Sequence, residues 1–293
     1  DADPMPISRA LALLPASLLL AACEASLDIS LTDAPADQAR QLLMTVNSVQ
    51  LLQEDGGIVT LDADELRFDL LDYRDGETLE LVSRDGDVQG DYIGIRPVIE
   101  TSDLDLTLAN GGQVGVALLA QPDFADLDFS LDDGEALSLV LDLDLRFSLI
   151  DDRDGSYSLR PVVRAADRGD AALIEGEVDA ALVGDDDCRE GRSVGTGVAV
   201  YAFAGDDRTP NDFYDDGSIV AAQQPLASAP VAYEADSDSY RYRLHFMPAG
   251  DYTLALTCQA DSERPDADDD LLFLDTLNVS ADSGETVEAD FDD

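Results

Sequence analysis

The side chains able to do chemistry in this 293-residue chain are three cysteines, one histidine and 64 acids. Cys188 and Cys258 both fall in the C-terminal half. Two thiols and a single histidine make a poor zinc set, which needs four soft or borderline ligands. The pair is therefore expected to form a disulfide, which fits an oxidising compartment. It would close a loop of about 70 residues, worth roughly 4 kcal/mol in the chain-entropy account. His245 lies in Tyr240-Arg241-Tyr242-Arg243-Leu244-His245-Phe246. Strand alternation puts it on one face with Arg241 and Arg243, and the plainest expectation is a surface residue and not a general base. With one histidine and both late thiols paired, nucleophilic triads have no parts to be built from.

The acids are too many for any one pair to stand out. Carboxylate-pair hydrolysis is a third reading and would need a cleft holding two carboxyls about 5 to 10 Å apart. Calcium is the cofactor to weigh, because it takes hard oxygen ligands. The densest clusters are Asp151, Asp152 and Asp154 in one turn, and Asp266, Asp268, Asp269 and Asp270 in one loop. Neither completes an EF-hand, and the plainer reading is solvated turn carboxylates. Gly195-Thr196-Gly197 and Gly111-Gly112 fit neither phosphate-loop pattern. Nine Tyr, nine Phe and no Trp weaken a sugar-stacking reading.

The first cysteine has a different setting. From Met5, the natural start, Arg9 supplies a positive charge and Ala10 to Leu20 an apolar run. That run is too short to span a bilayer, which takes about 20 residues. Leu20-Ala21-Ala22-Cys23 then resembles the lipobox of bacterial lipoproteins. The resemblance implies that residues 1–22 are a cleaved signal peptide and that the Cys23 thiol and amine carry acyl chains. Several chains anchor stably where one is marginal. Glu24 in the following position is similar to the pattern that sorts such proteins to the outer membrane.

Charge bounds the partners. The formal net charge is -47, from 64 acids against 17 basic residues. All of the basic residues are Arg. Such a chain repels nucleic acid, so DNA or RNA binding is excluded. The Asp-rich, Lys-free composition resembles that of proteins from salty habitats, where screening tames self-repulsion.

The elements that must position these residues read as strands. Ser26 to Thr32, Leu79 to Val82, Leu104 to Ala109 and Leu137 to Ile150 all alternate at period two. Asp-Gly pairs at 55–56, 75–76, 85–86, 133–134, 154–155 and 216–217 favour tight turns, several of them closing hairpins. The clearest hairpin runs from Leu145 to Val163, and one short helix is expected over Asp37 to Leu43. A small, charged stretch from Ala165 to Asp170 marks a boundary, after which Ala172 to Val183, Ser193 to Asp207, Tyr240 to Cys258 and Leu271 to Phe291 start afresh.

Two resemblances follow from these segments. Leu31 to Pro35 (LTDAP), Asp69 to Val82, Gly90 to Ile99, and Leu141 to Asp167 together resemble the bacterial lipoprotein family catalogued as domain of unknown function 4382. That family has no established activity to carry over. The second half, through IEGEV (Ile174 to Val178), GVAVYAF (Gly197 to Phe203), PAGDYTLALTC (Pro248 to Cys258) and VEADF, resembles the carboxypeptidase-regulatory-like, transthyretin-like sandwich. Such modules are usually non-catalytic. The expectation is an all-β chain of two antiparallel sandwich-like domains, 23–168 and 169–293, held at the cell envelope by lipid on Cys23. Its expected role is a non-enzymatic structural or interaction module that meets an envelope protein or glycan. The alternative is a calcium-dependent adhesin or assembly subunit.

Overall fold

The computed structural model describes residues 24–34, 36–63, 67–214 and 224–292. Cys23 with its leader, and the Asp216-Gly217 pair, lie outside the described residues. Period-two alternation becomes strand almost throughout, in four sheets. The first has the order β13 (Val163–Asp167), β10 (Ala136–Asp144), β1 (Ser26–Ala34), β5 (Leu79–Asp85). The second has nine strands built on the long β2 (Ala39–Gln53). Its neighbours include β6 (Gly90–Ile99), β7 (Asp105–Leu108) and β3 (Ile58–Asp62), and the sheet ends in the hairpin β11 (Leu149–Asp151) and β12 (Tyr157–Leu159).

The apolar faces of these two sheets make one core. Leu27, Ile29 and Leu31 of β1 and Leu139, Leu141 and Leu143 of β10 meet Leu42, Met44 and Val49 of β2 and Ile95 of β6. The other two sheets draw only on residues 172–288. One has the order β17 (Ala232–Glu234), β18 (Ser239–Met247), β14 (Ala172–Val178), β21 (Thr286–Glu288). The other has the order β16 (Ala227–Pro230), β15 (Ala199–Ala204), β19 (Gly250–Thr257), β20 (Phe273–Ala281). Ile174, Tyr242, Leu244, Val200, Leu254 and Leu256 fill the space between them. Gly176 of β14 has no room for a side chain, since an added Cβ would fall 1.9 Å from the Ala289 carbonyl oxygen. The disulfide joins Cys188, in the helical turn α3 (Asp186–Arg189) on this second core, to Cys258 at the end of β19, with Cα atoms 5.8 Å apart.

Antiparallel pairing dominates, as expected. Three ladders are parallel: β1 with β10, β12 with Gln113–Leu118 (β8), and β14 with β21. Each joins strands far apart in sequence, as a parallel pair requires.

Three local expectations change. Residues 37–43 are not a helix: Asp37 and Gln38 form a turn, and the chain enters β2 at Ala39. Ladder partners on both edges of β2, with Leu42, Met44 and Val46 repeating at period two, outweigh the local helix signal. The run from Leu137 to Ile150 is not one strand. A single helical turn, α1 (Leu145–Ser148), interrupts it, because the Asp144 side chain accepts from the Phe147 amide and caps the turn. The Asp-Gly pairs do turn the chain, with positive φ at Gly56, Gly76, Gly86, Gly134 and Gly155. Only 55–56 and 154–155 close hairpins of paired strands, β2 with β3 and β11 with β12. Asp85-Gly86 and Asp133-Gly134 instead carry the chain from one sheet to the other.

Candidate functional site

The outer face of β10 is covered by the second half of the chain, and there the chemistry gathers. A β10 side chain that alternation would place in water, Asp144, is 4% exposed. Its Oδ1 accepts from the Phe147 amide at 3.3 Å, and its Oδ2 accepts from the Ser228 amide at 3.0 Å and the Ser228 hydroxyl at 2.9 Å. One carboxylate thus caps α1 and holds β16 across the seam.

The turn it caps changes the chain's period from 2 to 3.6, so both Arg146 and Phe147 reach the second half. The Phe147 ring stacks on Phe213 at 4.7 Å between centroids and meets Tyr201 edge-on at 5.4 Å. Arg146, 1% exposed, donates to Asp37 Oδ2 at 2.6 Å and to the Ala260 carbonyl at 3.0 Å. Burial opposes its charge, but Asp37, Tyr201 and Asp144 hold the guanidinium protonated.

A second polar group lies along the same seam, around a cavity of about 30 Å³ lined by Asp33, Asp142, Arg164 and His245 among others. A space of that size suits one or two waters. Arg164 pairs with Asp142 and donates to the His245 and Phe246 carbonyls of β18, again tying the halves together. Burial, followed by the charges of Asp142 and Asp144, raises Asp33 well above the ordinary carboxylate range. Burial, with Asp142 close by, likewise raises Asp144 to about 7. Asp33 belongs to the LTDAP segment, and Thr32 beside it donates to the Tyr73 and Glu77 carbonyls.

The third group is acidic. Asp212, Glu263 and Asp269 come from two loops flanking β15 and β19, and one carboxylate oxygen from each lies within 4.8 Å of the others. The Tyr201 hydroxyl donates to Glu263 Oε2 at 3.0 Å, and the Phe213 amide donates to it at 3.2 Å. Burial raises Glu263 to about 8, and burial also raises Asp212 and Asp269.

The residues singled out in the sequence are distributed unevenly over these groups. His245 is not a plain surface residue. It is half-buried in the seam, its ring lying over Gly76, and burial lowers its pKa. The cause is local: Phe246 takes a positive φ of 53°, and the β14–β18 register shifts there, which turns this end of β18 toward the first half. Asp151, Asp152 and Asp154 stay on an exposed turn, where they accept from Arg153, Ser156 and Ser158. Asp266, Asp268 and Asp270 are exposed as well, with Asp266 paired to Arg264, while Asp269 between them turns inward. Asp212 and Glu263 had not been singled out. The available signal is Phe213-Tyr214, two aromatics in an otherwise polar loop.

A family profile described as Domain of unknown function (DUF4382) matches residues 24–161, the stretch that carried the first resemblance. A comparison with curated proteins found no match. Among solved structures, the chain is similar to the TIE protein of Bacillus anthracis at 9% identity, covering 90% of this chain and 34% of that one, with a TM-score of 0.21. It is similar to the fimbrial anchor protein of Porphyromonas gingivalis at 10% identity, covering 87% and 83%, with a TM-score of 0.20. It is also similar to a minor pilin of Streptococcus agalactiae at 11% identity, covering 90% and 94%, with a TM-score of 0.20. The chain thus spans about a third of the length of the Bacillus protein. Likenesses this remote say nothing of partners or activity. Among the described residues, no helix is long and apolar enough to cross a membrane.

Proposed function

We propose that this protein is a non-catalytic structural or interaction module of the cell envelope, exported and tethered by acyl chains on Cys23. Residues 24–168 and 169–293 act in this reading as two sandwich domains, the second transthyretin-like, clamped into one stiff body by the seam. The observation that carries the reading is the Cys188–Cys258 disulfide, with both cysteines fully buried in the second core. A bond so placed matures in an oxidising compartment, outside the cytoplasm. The lipobox supplies the route there and the anchor. Strand β1 begins at Ser26, three residues past Cys23, so the tether is short and the acidic body is held close to the bilayer. Glu24 supports the outer membrane as the destination. Three carboxylates of the seam are spent on structure: Asp144 on α1 and Ser228, Asp142 on Arg164, and the partly buried Asp37 on Arg146. The partner in this reading is an envelope protein or glycan.

The test is fractionation of the full chain in a bacterial host. The wild type should sediment with membranes and take up labelled palmitate, and Cys23→Ala should appear in the soluble fraction without label. Continued sedimentation of Cys23→Ala with membranes would overturn the anchor.

A further inference from the structure

The cluster of Asp212, Glu263 and Asp269 is poorly explained as structure alone. Asp212 is 1% exposed and Glu263 is 3% exposed. The donors that reach them are mostly backbone amides, which orient carboxylates without neutralising them. Asp269 N donates to Asp212 Oδ2, while Phe213 N and Arg264 N donate to Glu263. Asp212 Oδ1 and Asp269 Oδ2 are buried with no hydrogen-bond partner. The adjacent cations answer the cluster only in part. Arg146 holds Asp37, and Arg264 holds Asp266, with its other terminal nitrogen 3.9 Å from Asp269. Two buried, unpartnered oxygens beside a third carboxylate call for a positive charge between them.

We propose that Asp212, Glu263 and Asp269 form a binding site for one hard divalent cation such as calcium. All the donor atoms are oxygens, which such ions prefer. The ligand oxygens lie within 4.8 Å of one another. Oxygens that close can share one ion, since ligands on opposite sides of calcium, at about 2.4 Å each, stand no further apart. Burial makes the charge of all three acids costly, and a cation between them would offset that cost. The site adjoins the seam, because Phe213, next to Asp212, is the ring on which Phe147 stacks. The inference goes beyond the envelope reading and does not rest on it.

The experiment is calcium titration of the chelator-treated full chain at pH 8, by calorimetry and by thermal melting. High salt is included to screen the exposed acids, whose field then reaches only about 3 Å. The wild type should show one saturable event and a melting temperature raised by about 5 °C at a hundredfold excess over Kd. Asp212→Asn and Asp269→Asn should abolish both effects. Asp266→Asn combined with Asp268→Asn and Asp270→Asn should keep them. Asp269 is only partly buried, so its variant remains informative if Asp212→Asn folds poorly. The same titration in wild type and Asp269→Asn, or no saturable event at all, would overturn the proposal.

Discussion

Phe147→Ala is the sharpest test of the seam. Phe147 is fully buried, yet it belongs to neither main core; it clusters with Tyr201, Phe213, Ala199, Phe203, Ala255 and Ala260 of the second half, with Val162 of its own half packed against the group. Removing a buried phenylalanine costs about 3–5 kcal/mol, from lost transfer energy plus the cavity left behind. Both aromatic contacts, at 4.7 and 5.4 Å, vanish with it. Little of this loss should fall on the two cores, because neither contains the ring. The variant should therefore lose about 4 kcal/mol in urea titration, and its calorimetric transition should broaden toward two, as each half begins to melt on its own. A double-mutant cycle with Phe213→Ala should show a coupling of about 0.5–1.5 kcal/mol, the worth of a stacked pair. A loss below about 1 kcal/mol, or additive losses in the cycle, would refute the claim that this ring clamps the halves.

Two further predictions concern the buried bonds and charges. Cys188→Ser should lower stability by about 4 kcal/mol, and an unchanged melt in reducing buffer would show that the link contributes nothing. Asp144 is raised by burial from 3.8 to about 7, so it binds a proton in the folded chain that the unfolded chain has released. Its contribution is therefore full below pH 4 and is lost as pH climbs toward 7, the reverse of an ion-paired carboxylate. Asp144→Asn should accordingly gain on the wild type in melting temperature between pH 5 and 8, and a constant difference across that range would count against a buried, protonated Asp144.

How much of this was legible follows from what alternation encodes. Alternation shows which face of a strand is apolar; it does not show what covers the other face. In β10 the pattern Leu139, Leu141, Leu143 correctly gave the core side, and the intervening Val140, Asp142 and Asp144 read as solvated. They are instead 1%, 6% and 4% exposed, because the second half lies on them. The opposite surface did carry a hint. Val198 to Phe203 is apolar at every position and buried at every position, as in a strand covered on both sides. That run stated that β15 had a second partner, and the partner was the face carrying Phe147.

The acids were illegible for a related reason. A chain with 64 of them offers a carboxylate wherever one is sought, so sequence clustering selects neighbours in the chain and not neighbours in space. In Asp266 to Asp270 every acid looked equivalent, yet the loop turns one of them, Asp269, toward Asp212, which is 57 residues earlier in the chain. What separates the inward acid from the outward ones is desolvation. A carboxylate in water is worth nothing in particular, whereas one stripped of water must find a donor, a proton or a cation. In this fold Asp144 found Ser228 and a proton, and Asp142 found Arg164 with one oxygen, while Asp33 keeps both oxygens, and Asp142, Asp212 and Asp269 one each, without a hydrogen-bond partner; of these, Asp212 and Asp269 lie together with a third carboxylate, Glu263. That cluster of unmet charge, visible only once the two loops beside β15 and β19 are brought together, is what points to an ion.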